Sequence, residues 1–221
     1  MQLEFYQDKP LEYLDDILLQ AGEMQVLPAA VLAQIDNIAL RLWCHKKGIY
    51  GIPSQELIEL IKSHLVPDTS IEVGAGCGVF GKALQIPSTD SMLQNTPAIK
   101  AFYNELKQPT VEYGKHVINL EASAAISQFN PDVVFGSWVT QYVPPEQAEE
   151  LCGQGSEYGL KETEFMSKLK KYIVYGNDIV HGHKKVLNMP EYKVERVYNT
   201  SDFFSRSSKP VLNCLYIITH A

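Results

Sequence analysis

Cysteine is scarce in this chain, and what there is stands far apart: Cys44, Cys77, Cys152 and Cys214, with no CxxC pair. That spacing excludes a disulfide framework and a cysteine-based zinc site, and it fits reduced thiols in a cytoplasm. No apolar run approaches the length that spans a bilayer. The opening residues, MQLEFYQDKPLEYLDD, lack the basic start and apolar centre of a secretory leader. Positive charge is short as well. Nineteen Lys and Arg against 26 Asp and Glu leave a formal net charge of −7, a poor balance for gripping nucleic acid or an anionic membrane. The basic runs at Lys168, Lys170 and Lys171 and at Lys184 and Lys185 read as solvated helix faces. Internal repeats and low-complexity tracts are absent.

What is present suits a globular protein. The 221 residues, 45% of them hydrophobic, suffice for one sizeable domain with a small appendage. Residues 1–50 are expected to form an N-terminal helical extension and residues 51–221 the main domain. Over 11–46, Leu11, Leu14, Ile17 and Leu18 share one helical face, as do Val31, Leu32, Ile35, Ile38, Ala39 and Leu42. After the break GIYGIPS, Ser54 is placed to cap a helix carrying Leu57, Leu60, Ile61 and Leu65.

From there strands and helices alternate. TSIEV, IPSTD ending at Asp90, HVINL at 116–120, PDVVFGSW at 131–138 and KYIVYGN read as strands. Between them lie GVFGKAL, a helix opened by Thr96 and Pro97 with Ile99, Phe102, Tyr103 and Leu106 on one face, EASAAISQF, and a helix starting at VPPEQAEEL that 162–170 continues or restarts after a glycine-rich break. YKVERVYN and VLNCLYIITH are expected to pair antiparallel. The pattern predicts a three-layer α/β, Rossmann-like fold with a mainly parallel seven-stranded sheet and a C-terminal antiparallel hairpin. Ligands in such folds bind at the carboxyl ends of the strands. Gly74–Gly78, Asp90, Glu121, Gly136–Trp138 and Gly176–Asp178 all follow predicted strands, so one rim collects them.

The stretch SIEVGAGCGVFGKAL sits where the first core strand hands over to a helix. Its GxxxxGK lacks the hydroxyl residue that a phosphate-binding loop places next, since Ala83 follows Lys82. Gly76, Gly78 and Gly81 satisfy GxGxxG, but the next strand's acid, Asp90, comes only nine residues after Gly81 instead of about 20. A carboxylate at Glu72 would also repel a pyrophosphate.

EVGAGCG resembles the first motif of the class I S-adenosylmethionine-dependent methyltransferases, with Glu72, Gly74, Gly76 and Gly78 at its fixed positions. That cofactor carries a sulfonium and an ammonium and no phosphate, so an acid beside the turn is favourable. The resemblance implies that Asp90 holds the ribose hydroxyls, that Glu121 with Ala122 lies at the adenine, and that the end of the fourth strand lies beside the methyl group. Glu72, Gly74, Gly76, Gly78, Asp90 and Glu121 are then the cofactor-binding residues. Ser137, Trp138, Tyr142 and Asn177 are the acceptor-side candidates. The segment 45–54 is placed to fold over the cofactor, and EYGKHV at 112–117 reads as the approach to a strand.

The acceptor is expected to be a small molecule or a protein. GSWVTQYVPP does not reproduce the (Asp/Asn/Ser)-Pro-Pro-aromatic motif of DNA amino-methyltransferases, and no Pro-Cys nucleophile is present. His181 and His183 lack a third ligand in sequence, so no metal is expected, and an exposed polar loop or a helix start explains them. Two further readings stay open: the same fold kept as a non-catalytic binding scaffold, and a nicotinamide-dependent oxidoreductase using Gly76, Gly78 and Gly81. Acceptor and oligomeric state are left open by the sequence.

Overall fold

Seven strands of the computed structural model, which describes residues 10–147 and 155–221, form one mixed sheet. In chain order they are β1 (Ser70–Val73), β2 (Ser88–Asp90), β3 (Ile118–Asn119), β4 (Val133–Ser137), β5 (Lys171–Asn177), β6 (Tyr192–Tyr198) and β7 (Asn213–His220). Their spatial order is β6-β7-β5-β4-β1-β2-β3. The five strands β1 to β5 are parallel, and β7 runs antiparallel to both β5 and β6. The fold is therefore Rossmann-like. The chain winds outward from β1 to β3, returns, and winds the other way from β4, so the order switches between β1 and β4.

The sequence dictates this layering through its period of two. Along β4, Val134 faces one apolar cluster while Val133 and Phe135 face the other; along β5, Tyr172 and Val174 oppose Ile173 and Tyr175. Both faces are covered, which is why these strands read as unbroken apolar runs. One cover carries α7 (Ala122–Phe129) and α8 (Glu162–Phe165), and the other carries α4 (Gln55–Lys62) and α5 (Val79–Leu84). The outermost strand β6 alternates instead, with Lys193 and Glu195 outward, which suits an edge exposed to water.

The N-terminal stretch is less continuous than its periodicity suggests. Helix α1 (Tyr13–Leu18) stops at a hairpin in which Leu19–Gln20 pairs with Glu23–Met24 across Ala21 and Gly22, both at positive φ. Two such residues in a row make the tight turn whose twist matches the flanking strands. A single turn, α2 (Ala29–Leu32), and α3 (Asn37–Lys47) follow. Leu14, Leu18, Leu32, Leu40 and Trp43 gather into a third cluster, and the Trp43 indole N–H donates to Asp15 at 2.7 Å. Ser54 caps α4, accepting from the Leu57 N–H at 3.0 Å. Gly51–Ile52 pairs antiparallel with Phe204–Ser205, which ties the segment just after α3 to the loop between β6 and β7.

Three local expectations need correction. Thr96 does precede α6 (Pro97–Glu105), but its hydroxyl donates back to the Leu93 carbonyl at 2.8 Å and caps nothing. The helix expected over 162–170 is a single α turn followed by a 3-10 turn at Met166–Lys168. The helix start at VPPEQAEEL shows only a 3-10 turn at Pro145–Gln147; its remainder, and Cys152, lie outside the described residues.

Beneath α8 lies a buried polar trio. Lys184 and Glu162, at 1% and 2% side-chain exposure, form an ion pair, and the Tyr172 hydroxyl donates to Glu162 at 2.8 Å. The basic run at 184–185 is thus half internal, contrary to the solvated-face reading. Removing one partner strands the other charge in an apolar layer. Glu162→Gln is expected to lower the unfolding free energy by about 3 kcal/mol, measured by urea denaturation at pH 7; an unchanged midpoint would contradict this account.

Candidate functional site

The site begins where β1 runs out. Gly74, Gly76 and Gly78 all take positive φ as the chain turns into α5. Gly78 is the most constrained: at φ +72° its added Cβ would stand 2.5 Å from both the His116 ring and Val117. One turn on, Gly81 is required for space, since a Cβ there would meet the Ser88 hydroxyl at 2.0 Å and Glu72 at 2.5 Å.

Glu72 explains that crowding. Its side chain is fully buried below the turn, and Oε2 accepts from the Gly81 N–H at 2.9 Å and the Ser88 hydroxyl at 2.8 Å. Oε1 has no partner. Burial pushes the carboxyl up to about 8, against the pull of those two hydrogen bonds. The sequence reading set Glu72 against the ligand; the structure sets it beneath the loop, where it pins β1, β2 and α5 together and does not line the cavity.

Asp90 does reach the cavity. At the end of β2 its Oδ2 accepts from the Gly76 N–H at 2.9 Å and its Oδ1 from the Met92 N–H at 2.8 Å. Each oxygen keeps a further lone pair, and the carboxyl lines a cavity of about 800 Å³ at the carboxyl ends of the strands. Burial raises its pKa, opposed by those two backbone bonds.

Gly74, Gly76, Asp90, Ser137 and Trp138 share that cavity. Trp138 leaves β4 at φ +57°, held by its backbone N–H donating to the Tyr175 carbonyl at 2.7 Å, and its buried indole N–H has no acceptor among the described residues. Its ring lies 6.2 Å from Tyr50 and edge-on to His181 at 5.3 Å.

The other expected residues are elsewhere. Glu121 is exposed and caps α7, accepting from the N–H groups of Ser123 and Ala124. Tyr142 points away from the cavity, with the Lys161 ammonium 5.0 Å over its ring. Asn177 is fully buried: its amide donates to Lys209 and Asn213 carbonyl oxygens, and its Oδ1 caps α9 (Asp178–His181) by accepting from Ile179. His181 ends the short helix α9, in keeping with a helix start, but it is buried and not exposed. Its Nδ1 accepts from the Asn177 N–H at 2.9 Å, and burial with nearby Lys184 drives its pKa down to about 3, so it is neutral. His183 is exposed and the two do not converge. Among the described residues no group of three His, Cys, Asp or Glu is placed to hold a metal.

Sequence reasoning did not find most of the cavity's aromatic wall. Tyr50, Phe102, Tyr103, Tyr113 and Tyr158 join Trp138 there. One signal was available: the apolar face of α6 has no core to meet, with Phe102 55% exposed, and it turns to the cavity instead. The segment 112–117 does lead into β3, and with Val111 its Tyr113 lines the cavity on the way.

No protein-family model and no curated protein matches this chain. Solved structures that resemble it include a protein of the NADB-Rossmann superfamily from Streptococcus agalactiae (10% identity, 74% of this chain and 67% of that one, TM-score 0.39). Others are the 23S rRNA methyltransferase ErmE (15%, 76% and 68%, TM-score 0.36) and SMU.776 complexed with SAH (10%, 73% and 47%, TM-score 0.33). These likenesses are too slight to bear on function.

Glu72 carries a pH signature. Its folded pKa, about 8, lies above its unfolded value near 4.5. Between those values the native state holds a proton that the unfolded chain has released, so this group's contribution to stability falls as pH rises from about 5 to about 8. Glu72→Gln removes that slope. Urea midpoints of the two proteins across pH 5–8 should diverge progressively, and parallel curves would show that the carboxyl titrates normally.

Proposed function

We propose that this protein is an S-adenosylmethionine-dependent methyltransferase, with residues 1–50 a helical extension on the catalytic domain 51–221. One observation carries the reading: Asp90 and the glycine turn meet in a cavity of about 800 Å³ at the switch in strand order. The backbone of Gly74–Gly76 and the Asp90 carboxylate would hold the cofactor, the carboxylate being suited to a pair of ribose hydroxyls. When bound, S-adenosylmethionine supplies an electrophilic methyl group. No phosphate has to be seated, which agrees with a turn whose nearest charged group is a carboxylate.

The chain's own residues position and dry the site. Ser137 and Trp138 close it at the tip of β4, the acceptor side, and Tyr50, Phe102 and Tyr103 wall off water. Methyl transfer depends on alignment and desolvation more than on a strong base, so an aromatic enclosure without an obvious general base suits it. The nicotinamide reading loses its third glycine, because Gly81 is packed against Ser88 and Glu72 and does not line the cavity. A cavity of this size, with a half-buried carboxylate in its wall, also favours a ligand-binding role over a bare scaffold. The acidic balance of the chain favours a small-molecule or protein acceptor over nucleic acid.

Calorimetric titration with S-adenosylmethionine and its demethylated product tests the proposal. Saturable binding of both is expected. Asp90→Ala should weaken it by about tenfold to a hundredfold, the worth of one or two charge-assisted hydrogen bonds. Absence of binding to the native protein, or equal affinity in the variant, would overturn it.

A further inference from the structure

The two edges of the sheet are unlike. At one, β3 is only two residues long, and shortness keeps such an edge from pairing with another chain. At the other, β6 runs for seven residues, Tyr192–Tyr198, with no proline or glycine inside it and in unbroken register with β7. Its sequence, YKVERVY, is rich in the aromatic and β-branched residues that favour strands. Lys193, Glu195, Arg196 and Tyr198 are exposed, and among the described residues β6 pairs with β7 alone.

One hydrogen bond fixes which backbone groups of β6 face outward. Tyr192 stands opposite His220, so Ala221 falls opposite Glu191, and the Ala221 N–H donates to the Glu191 carbonyl at 3.0 Å. Along an antiparallel ladder, residues that bond to the neighbouring strand alternate with residues that do not. Lys193, Glu195 and Val197 therefore turn their N–H and C=O groups toward β7, and Tyr192, Val194, Arg196 and Tyr198 turn theirs to the free edge. In agreement, the Tyr192 N–H donates to the Met189 carbonyl at 3.1 Å and not to β7.

Charge on an edge can simply hold other chains off. Here the charges are ordered so that they suit a second copy of the same strand. Two copies related by a two-fold axis normal to the sheet pair their edge strands antiparallel. The axis can pass through any residue, and the side chains decide which. Through Lys193, Glu195 or Arg196 it sets like charges directly opposite, which is unfavourable. Nearer the strand's ends, less of it is paired. Through Val194 it sets Lys193 opposite Glu195 of the second copy, and Glu195 opposite Lys193, at the non-hydrogen-bonded positions where side chains come closest. On the other face Tyr192 stands opposite Arg196 of the second copy, an aromatic ring beside a cation. The same register lets the two Val194 residues exchange N–H···O=C bonds, and it brings the Arg196 N–H to the Tyr192 carbonyl of the second copy. We propose that β6 is a self-association edge, through which two copies of this chain join their sheets, centred on Val194 and locked by the reciprocal Lys193–Glu195 pairs. This surface is separate from the cavity and does not rest on the methyltransferase reading.

Sedimentation velocity on the native chain and on charge-exchanged variants tests it. Pairing confined to one strand buries less than the roughly 1,200 Å² at which standard interfaces begin, so dimers are expected from about 10 µM upward at low salt. Glu195→Lys and Lys193→Glu each set like charges opposite, and each should raise the dissociation constant at least about tenfold. Mixed in equal amounts, the two variants should associate again, because the basic edge of one meets the acidic edge of the other. The double variant, which exchanges both charges, should dimerise as the native chain does. Either recovery also shows that the substituted chains fold. A native protein still monomeric at about 300 µM would overturn the proposal and leave the edge to a strand of a different chain. So would single variants that dimerise as the native protein does, or a failure of both the mixture and the double variant to restore association.

Discussion

A carboxyl with no access to water holds the centre of this protein together. Glu72 lies where β1, β2 and α5 meet, and its Oε2 alone joins the Gly81 N–H of the helix to the Ser88 hydroxyl of the neighbouring strand. Leaving an ionised carboxylate in such a place is costly, and two hydrogen bonds offset only part of the cost. The group answers by holding its proton to about pH 8. Other features follow from that placement. Residue 81 must be glycine, because there is no room for a Cβ between the carboxylate and Ser88. Residue 88 must carry a short hydroxyl. And the negative charge at the strand ends on this side falls to Asp90 alone.

The brevity of α5 is reconciled with the site by register. The helix runs only from Val79 to Leu84 and is stopped by Gln85 in the left-handed region. A longer helix would return the chain further along the sheet edge. Here Glu72 pairs with Ser88 and Val73 with Thr89, so β2 needs one more residue to bring Asp90 level with the glycine turn. The Gly76 N–H then meets the Asp90 carboxylate directly. A separation of 14 positions from Gly76 therefore suffices to join the turn to its acid, and loop and carboxylate form one hydrogen-bonded unit before any ligand arrives.

How far the sequence revealed this depends on the kind of signal. Strand identity was legible because both faces of β4 and β5 are buried, and unbroken runs of Val, Ile, Phe and Tyr have few other uses. That Gly74 and Gly76 turn at the cavity was legible because backbone geometry at a strand-to-helix turn restricts residue type, and Asp90 could be placed beside them because it ends the next strand. Glu121 and Asn177 were misjudged for one shared reason: a polar side chain just after a strand can cap the next helix as readily as it can face a ligand, and both of these cap. Position at a strand's end alone does not separate the two uses. Tyr142 lies beyond the turn at Val139 and Thr140, where the strand no longer fixes direction. The aromatic wall was illegible for the opposite reason. Phe102 and Tyr103 sit on a helix whose periodicity looks like any core-facing stripe, and only the fold shows that no core faces it.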